Sequence, residues 1–169
     1  VRINKGNEML NNIKKHGNYL KHILRHKYYV ALECFKQGLV WRGITHDWSK
    51  LLPSEWFAYA DYFYGERDET AFDSAWEHHK KFNDHHWEHW TIPQDSSGSL
   101  RSLATLPMSY PAIVEMLCDW MAMERQNNKN ATWEDVHKWY CEHSAKMRFH
   151  LETLIYTRVI LNRMRRHEK

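Results

Sequence analysis

Leu20-Lys-His-Ile-Leu-Arg-His-Lys-Tyr-Tyr-Val-Ala-Leu-Glu-Cys34 (LKHILRHKYYVALEC) places apolar residues at 20, 23, 24, 30, 31 and 34. Such spacing gathers them on one side of an α-helix, and no β-alternation competes with it. The pattern extends outward on both sides. From Glu8 to Lys36 there is no proline and a single glycine, and Gly38 then supplies a C-terminal stop. A short helix carrying Trp41 to Trp48 is expected next, ending before Pro53. Pro53-Ser-Glu55 opens another through Trp56, Tyr59, Ala60 and Phe63, closed by Gly65.

Further along, Phe72 to Lys81 reads as helix, with Asn83-Asp84 as a break or a bend. Thr91 to Ser102, containing Pro93 and Asp95-Ser-Ser-Gly98, reads as a loop. Pro111 begins an apolar helix through Ile113, Val114, Leu117 and Met121. Thr132-Trp-Glu-Asp135 resembles a capping box, with Asp in place of the usual Glu, and predicts a long C-terminal helix over about 132–165. The expected fold is all-α: one compact domain over 1–169, of about six to seven helices.

Composition narrows the function classes. A 43% hydrophobic and 14% aromatic chain of 169 residues can bury a core, so disorder is excluded. No apolar run approaches the roughly 20 residues that span a bilayer, and nothing at the start reads as a secretory signal. No membrane partner is expected. Cys34, Cys118 and Cys141 are odd in number and lie in apolar helical contexts, which predicts buried reduced thiols and a cytoplasmic location. A net charge of +3 is too mild to imply nucleic acid. The basic end with Arg163, Arg165 and Arg166 reads as cations complementing a helix dipole.

The chemistry concentrates around Ile44-Thr-His-Asp-Trp-Ser-Lys50. The pair His46-Asp47 is weak evidence alone, since random order gives about 0.6 such pairs in a chain of this composition. Its surroundings strengthen it. His26 lies one helix upstream. Asp119 lies downstream among Leu117, Cys118, Trp120 and Met121, where an uncompensated carboxylate is costly to bury. Imidazoles and carboxylates from separate helices can converge on one divalent ion.

These residues carry a resemblance. His26-Lys-Tyr-Tyr-Val-Ala31 is similar to the H-x-x-x-V-A helix of the HD-domain superfamily of metal-dependent phosphohydrolases. The segment Trp41-Arg-Gly-Ile-Thr-His-Asp-Trp-Ser-Lys50 is similar to that superfamily's A-x-L-H-D-x-G-K, with Ser49 where glycine is usual. Cys118-Asp119-Trp120 falls where its last ligand sits. The resemblance covers about 20–125 and includes a phage and bacterial branch of the superfamily.

The resemblance implies an HD-like fold and a divalent transition metal, Mn, Fe, Co, Ni or Zn, as one or two ions. It implies His26, His46, Asp47 and Asp119 as ligands, with Asp47 also catalytic. Dinuclear members place two further histidines between the His-Asp pair and the last aspartate. The segment HHKKFNDHHWEHW, 78–90, offers His78, His79, His85, His86 and His89. His79 and His86 are the expected pair, with His78 and His85 as rivals. Seven residues of unbroken helix separate two groups by about 10 Å, so a turn at Asn83-Asp84 must fold them together. His85 and His89, four apart, suit chelation within one helical turn.

Lys50 matches a lysine that in the superfamily reaches a substrate phosphate, and is expected to be catalytic and substrate-binding. Arg42, one turn before His46, is a second candidate to bind the substrate anion, and Glu115 a candidate to orient a ligand or move a proton. His22, His137, His143 and His150 read as polar edges. Trp41, Trp48, Trp56, Tyr59, Trp87, Trp90 and Trp120 read as core and cleft wall. The function these expectations support is hydrolysis of a phosphoester in a nucleotide or related small molecule, by a chain that can form a homo-oligomer. Two alternatives are a mixed-valence di-iron oxygenase on the same scaffold and a non-catalytic helical module for nucleotides or nucleic acid.

Overall fold

A computed structural model describes residues 2–91 and 105–168. Among them are seven α-helices and no strand: α1 (Arg2–Lys36), α2 (Val40–Thr45), α3 (Pro53–Tyr64), α4 (Glu69–Phe82), α5 (Tyr110–Asn127), α6 (Trp133–His143) and α7 (Leu151–His167). Three 3₁₀ turns join them, at Trp48–Leu51, Trp87–Trp90 and Ser144–Lys146. The expected loop from Thr91 to Ser102 lies, apart from Thr91, outside the described residues.

The helix ends follow their local chemistry. Gly38 takes φ +76 after α1, Pro53 opens α3, and the Asp68 side chain accepts from the Ala71 N–H at the start of α4. Thr132 and Asp135 form the reciprocal capping box of α6.

Two apolar clusters form along α1. Val30 and Cys34 pack with Ile113, Leu117 and Met121 of α5, Trp133, Val136 and Tyr140 of α6, and Leu161 of α7. Nearer its start, Tyr19 and Ile23 pack with Tyr59 and Ala60 of α3 and Ala75 of α4. His26 lies between the two clusters along the helix, and is buried. Thus the helix that ties the domain together also carries the first candidate ligand across the seam.

Three expectations need correction. The helix expected over about 132–165 is two helices, interrupted by a 3₁₀ turn and an extended stretch at 147–150. No proline or glycine marks the break. Met147 and Phe149 pack against the larger cluster there, and the reversal lets Thr153, Thr157, Ile160, Leu161 and Met164 bury along α7. The helix expected over Trp41 to Trp48 stops at Thr45, because Asp47 adopts left-handed geometry at φ 51, ψ 30. Finally, Cys34 and Cys118 are buried free thiols but Cys141 is exposed, on the outer side of α6.

Helix α2 crosses α1 at Gly43. A Cβ there would stand 2.9 Å from Cys34 Cβ and 3.1 Å from the Ala31 Cα. The close approach sets the position of His46, three residues on. Gly43→Val is therefore expected to force the helices apart, costing about 1–3 kcal/mol of stability. Thermal unfolding of the variant against the parent chain checks this.

Candidate metal centre

His46 and Asp47 leave the end of α2 on non-helical backbone, so their side chains are not held at the 100° offset of helical neighbours. A non-glycine residue in the left-handed region is uncommon and strained, and here it directs a buried carboxylate into the centre of the domain. Each oxygen of that carboxylate meets a different group of histidines.

On one side, Asp47 Oδ2 lies 3.4 Å from His46 Nε2 and 3.8 Å from His26 Nε2. His26 Nε2 is 3.0 Å from Asp119 Oδ1 and 3.3 Å from His46 Nε2. His26, His46 and Asp119 thus point their ligating atoms at one small volume. On the other side, Asp47 Oδ1 lies 3.2 Å from His79 Nε2 and 3.4 Å from His85 Nε2. His86 Nε2 completes that group at 3.0 Å from His79 Nε2.

The turn that the second group requires is present. Helix α4 ends at Phe82, Asn83 becomes extended, and the chain doubles back so that His86 returns to His79. Asn83 Nδ2 donates to the His79 carbonyl and to Ser49 Oγ, which is itself 3.2 Å from His79 Nδ1. Ser49 therefore supports a candidate ligand, and the hydroxyl is fully buried.

Two buried carboxylates, Glu115 and Glu55, orient the rings. Glu115 Oε1 accepts from His46 Nδ1 at 2.8 Å and lies 3.3 Å from His85 Nδ1. Glu55 Oε2 accepts from His79 Nδ1 at 2.9 Å, and its other oxygen accepts from His78 Nδ1 at 2.7 Å. Protons held at Nδ1 leave the Nε2 lone pairs facing inward, as metal ligation needs. Glu115 also faces His46 and His85 closely enough to suggest a third ligand group. The Arg42 guanidinium bonded to it makes Glu115 a support rather than a ligand.

The structure brings some of the expected residues together and not others. His26, His46, Asp47 and Asp119 come together, as do His79 and His86. His85, expected only as a rival, joins the second group. His78 turns away to Glu55 and is part-exposed, while His89 is exposed and faces the Lys80 carbonyl at 3.1 Å, so no His85–His89 chelate forms. Lys50 Nζ donates to Asp47 Oδ2 at 2.6 Å with 20% of its side chain exposed, at the edge of the site.

Arg42 departs from its expected role. Its guanidinium is taken up by Glu115 and Asp84, so it fastens α2 to α5 and to the turn before His85 instead of offering its charge to a substrate. Trp41 and Trp48 are also not core, being exposed, with Trp48 edge-on to Phe82. Glu55, missed in the sequence, is fully buried. A glutamate in the first turn of a helix ordinarily reads as a solvated partner of the dipole, so no signal distinguished it.

The electrostatics favour a cation. Burial opposes ionisation of Asp47, yet His46, Lys50 and His79 hold its carboxyl well below the usual range. Asp119 is likewise pulled down against its burial, by His26 first. Burial also works against charge on His85, but Asp47, Glu115 and Asp119 outweigh it and push the imidazole up to about 10. Asp47 Oδ1 and His85 Nε2 are buried and face each other at 3.4 Å without a well-formed hydrogen bond. A metal cation in place of the His85 proton would meet both, so the residues present fit a metal.

Fold and site together define an all-α protein whose centre is a buried cluster of histidines and carboxylates able to hold metal. The chain belongs to the family of unknown function DUF5662, which matches it over residues 15–163. No curated protein and no solved structure matches the chain significantly.

Two measurements bear on the site. With an ion held by each group, His86→Ala would lose one and keep the other, and His26→Ala the reverse, each leaving about one ion per chain where Asp47→Ala loses most of both; elemental analysis of the purified variants reads this directly. In the metal-free protein, His85 titrates above its unfolded value of 6.5, near 10. Its contribution to stability is therefore full below pH 6.5 and lost as pH rises through about 10. Because a ligating imidazole must shed that proton, loading with Zn²⁺ or Mn²⁺ at neutral pH is expected to release acid, measurable by titration in weakly buffered solution.

Proposed function

We propose that this protein is a metal-dependent phosphohydrolase of the HD type, with two ions and a phosphoester of a nucleotide or related small molecule as substrate. One observation carries the reading: the two oxygens of Asp47 face two separate ligand groups, His26, His46 and Asp119 on one side and His79, His85 and His86 on the other. Asp47 is thereby suited to bridge. Divalent ions held there would supply Lewis acidity and a nucleophile at neutral pH.

The protein's own residues have definable tasks. Glu115 keeps protons on His46 Nδ1 and His85 Nδ1, and Glu55 keeps one on His79 Nδ1, fixing the ring orientations. Asp119, with 14% of its side chain exposed, and Lys50 mark the edge open to solvent. Lys50 is placed to donate to the anionic oxygens of a phosphoryl group beside Asp47.

A screen of nucleoside mono-, di- and triphosphates and cyclic nucleotides for phosphate release tests the reading. His46→Ala and Asp47→Ala should abolish release with circular dichroism unchanged, and Lys50→Ala should lower kcat/KM by about a hundredfold. Full activity in both ligand variants would overturn the assignment.

The second ligand group also favours a second reading. Three histidines and a shared carboxylate suit a mixed-valence di-iron oxygenase as well as a hydrolase. Protein purified without oxygen separates them: two irons per chain with oxygen uptake support the oxygenase, phosphate release without oxygen the hydrolase.

A further inference from the structure

Helix α7 is apolar on two opposite sides. Thr153, Thr157, Ile160, Leu161 and Met164 face the core. At 100° per residue, Leu151, Ile155 and Val159 form a stripe on the opposite side. They are 66%, 51% and 58% exposed, and Tyr156 beside them is 52% exposed. A helix that is apolar on both sides ordinarily buries both.

The charges bordering the stripe indicate what covers it. Glu152 and Arg163 lie on the same flank of the stripe, one near each end. Both are exposed, and neither makes an ion pair among the described residues. Now place a second copy of α7 antiparallel, with Ile155 against Val159 and Val159 against Ile155. The twofold axis keeps each flank facing itself, so Glu152 comes within one residue of level with Arg163 of the other copy. Symmetry repeats the pair, so two Glu152–Arg163 contacts border the stripe on one flank, while on the other Arg158, exposed and one residue from the axis, makes a single like-charge approach to its own copy.

We propose that α7 is the interface of a twofold homodimer, in which the Leu151–Ile155–Val159 stripes pack antiparallel and Glu152 pairs with Arg163 of the second copy. The candidate metal centre lies on α1, the α2–α3 connection, α4 with its following turn, and α5, so the proposal stands apart from the reading of that site.

Sedimentation equilibrium of the full chain from about 1 to 200 μM, at low and high salt, tests it. The parent chain should be dimeric at the upper end. Ile155→Glu with Val159→Glu should be monomeric throughout, with helicity and metal content unchanged because both positions are solvent-exposed. Glu152→Arg alone and Arg163→Glu alone should each weaken dimerisation several-fold, and the two together should restore it. A parent chain that stays monomeric at 200 μM overturns the proposal. So does a dimer that survives the paired glutamates, or a charge exchange that fails to restore association.

Discussion

The carboxylate of Asp47 is buried, and one of its oxygens finds no hydrogen-bond donor. Burying a charged group is expensive unless opposite charge and donors surround it, and the centre of this protein is built to provide them. Lys50 and His46 meet one oxygen, His79 and His85 face the other, and Asp119 adds further negative charge through His26. The surplus of carboxylate is what raises His85. A metal-free centre compensates with protons, and a metal-loaded one would do so with ions in their place.

That constraint reaches outward through the supporting residues. Glu115 is shared by a histidine from each ligand group, and Arg42 ties the same carboxylate to Asp84 at the turn preceding His85. Glu55 does the equivalent for His79, from the first turn of α3. The two groups of candidate ligands are thus mechanically coupled through side chains that belong to neither group. Positions of this kind set ring orientation, and their loss disturbs a site without removing a ligand.

The apolar architecture serves the same end. The larger cluster surrounds α5 and the smaller one joins α3 and α4, and α1 runs through both. Gly43 lets α2 approach α1 within contact of Cys34, which brings His46 to His26. A centre assembled from α1, the α2–α3 connection, α4 and its following turn, and α5 depends on these crossings being held rigidly, since displacement of any one helix moves a candidate ligand out of its group.

The helices themselves were legible in the sequence, since their period, the Pro53 and Gly38 boundaries and the Thr132 capping box are local signals. The convergence of His26, His46, Asp47 and Asp119 was legible too, through the motifs around them. The break at 147–150 was not, because no residue there forbids a helix and only packing of α7 against α5 and α6 rewards the reversal. Five histidines between 78 and 89 could not be ranked by spacing, because their positions depend on where the chain turns. Arg42 looked like an anion binder until two carboxylates from distant segments, Glu115 and Asp84, were found on it. By itself the sequence determined an all-α chain with a metal-ligand vocabulary in a recognisable order, because helical period and motif spacing are properties of neighbouring residues. Only the tertiary structure decided that His85 joins His79 and His86, that His78 and His89 do not, and that Asp47 faces both groups, because those contacts depend on a left-handed residue and a doubled-back turn whose geometry is set by the packing around them.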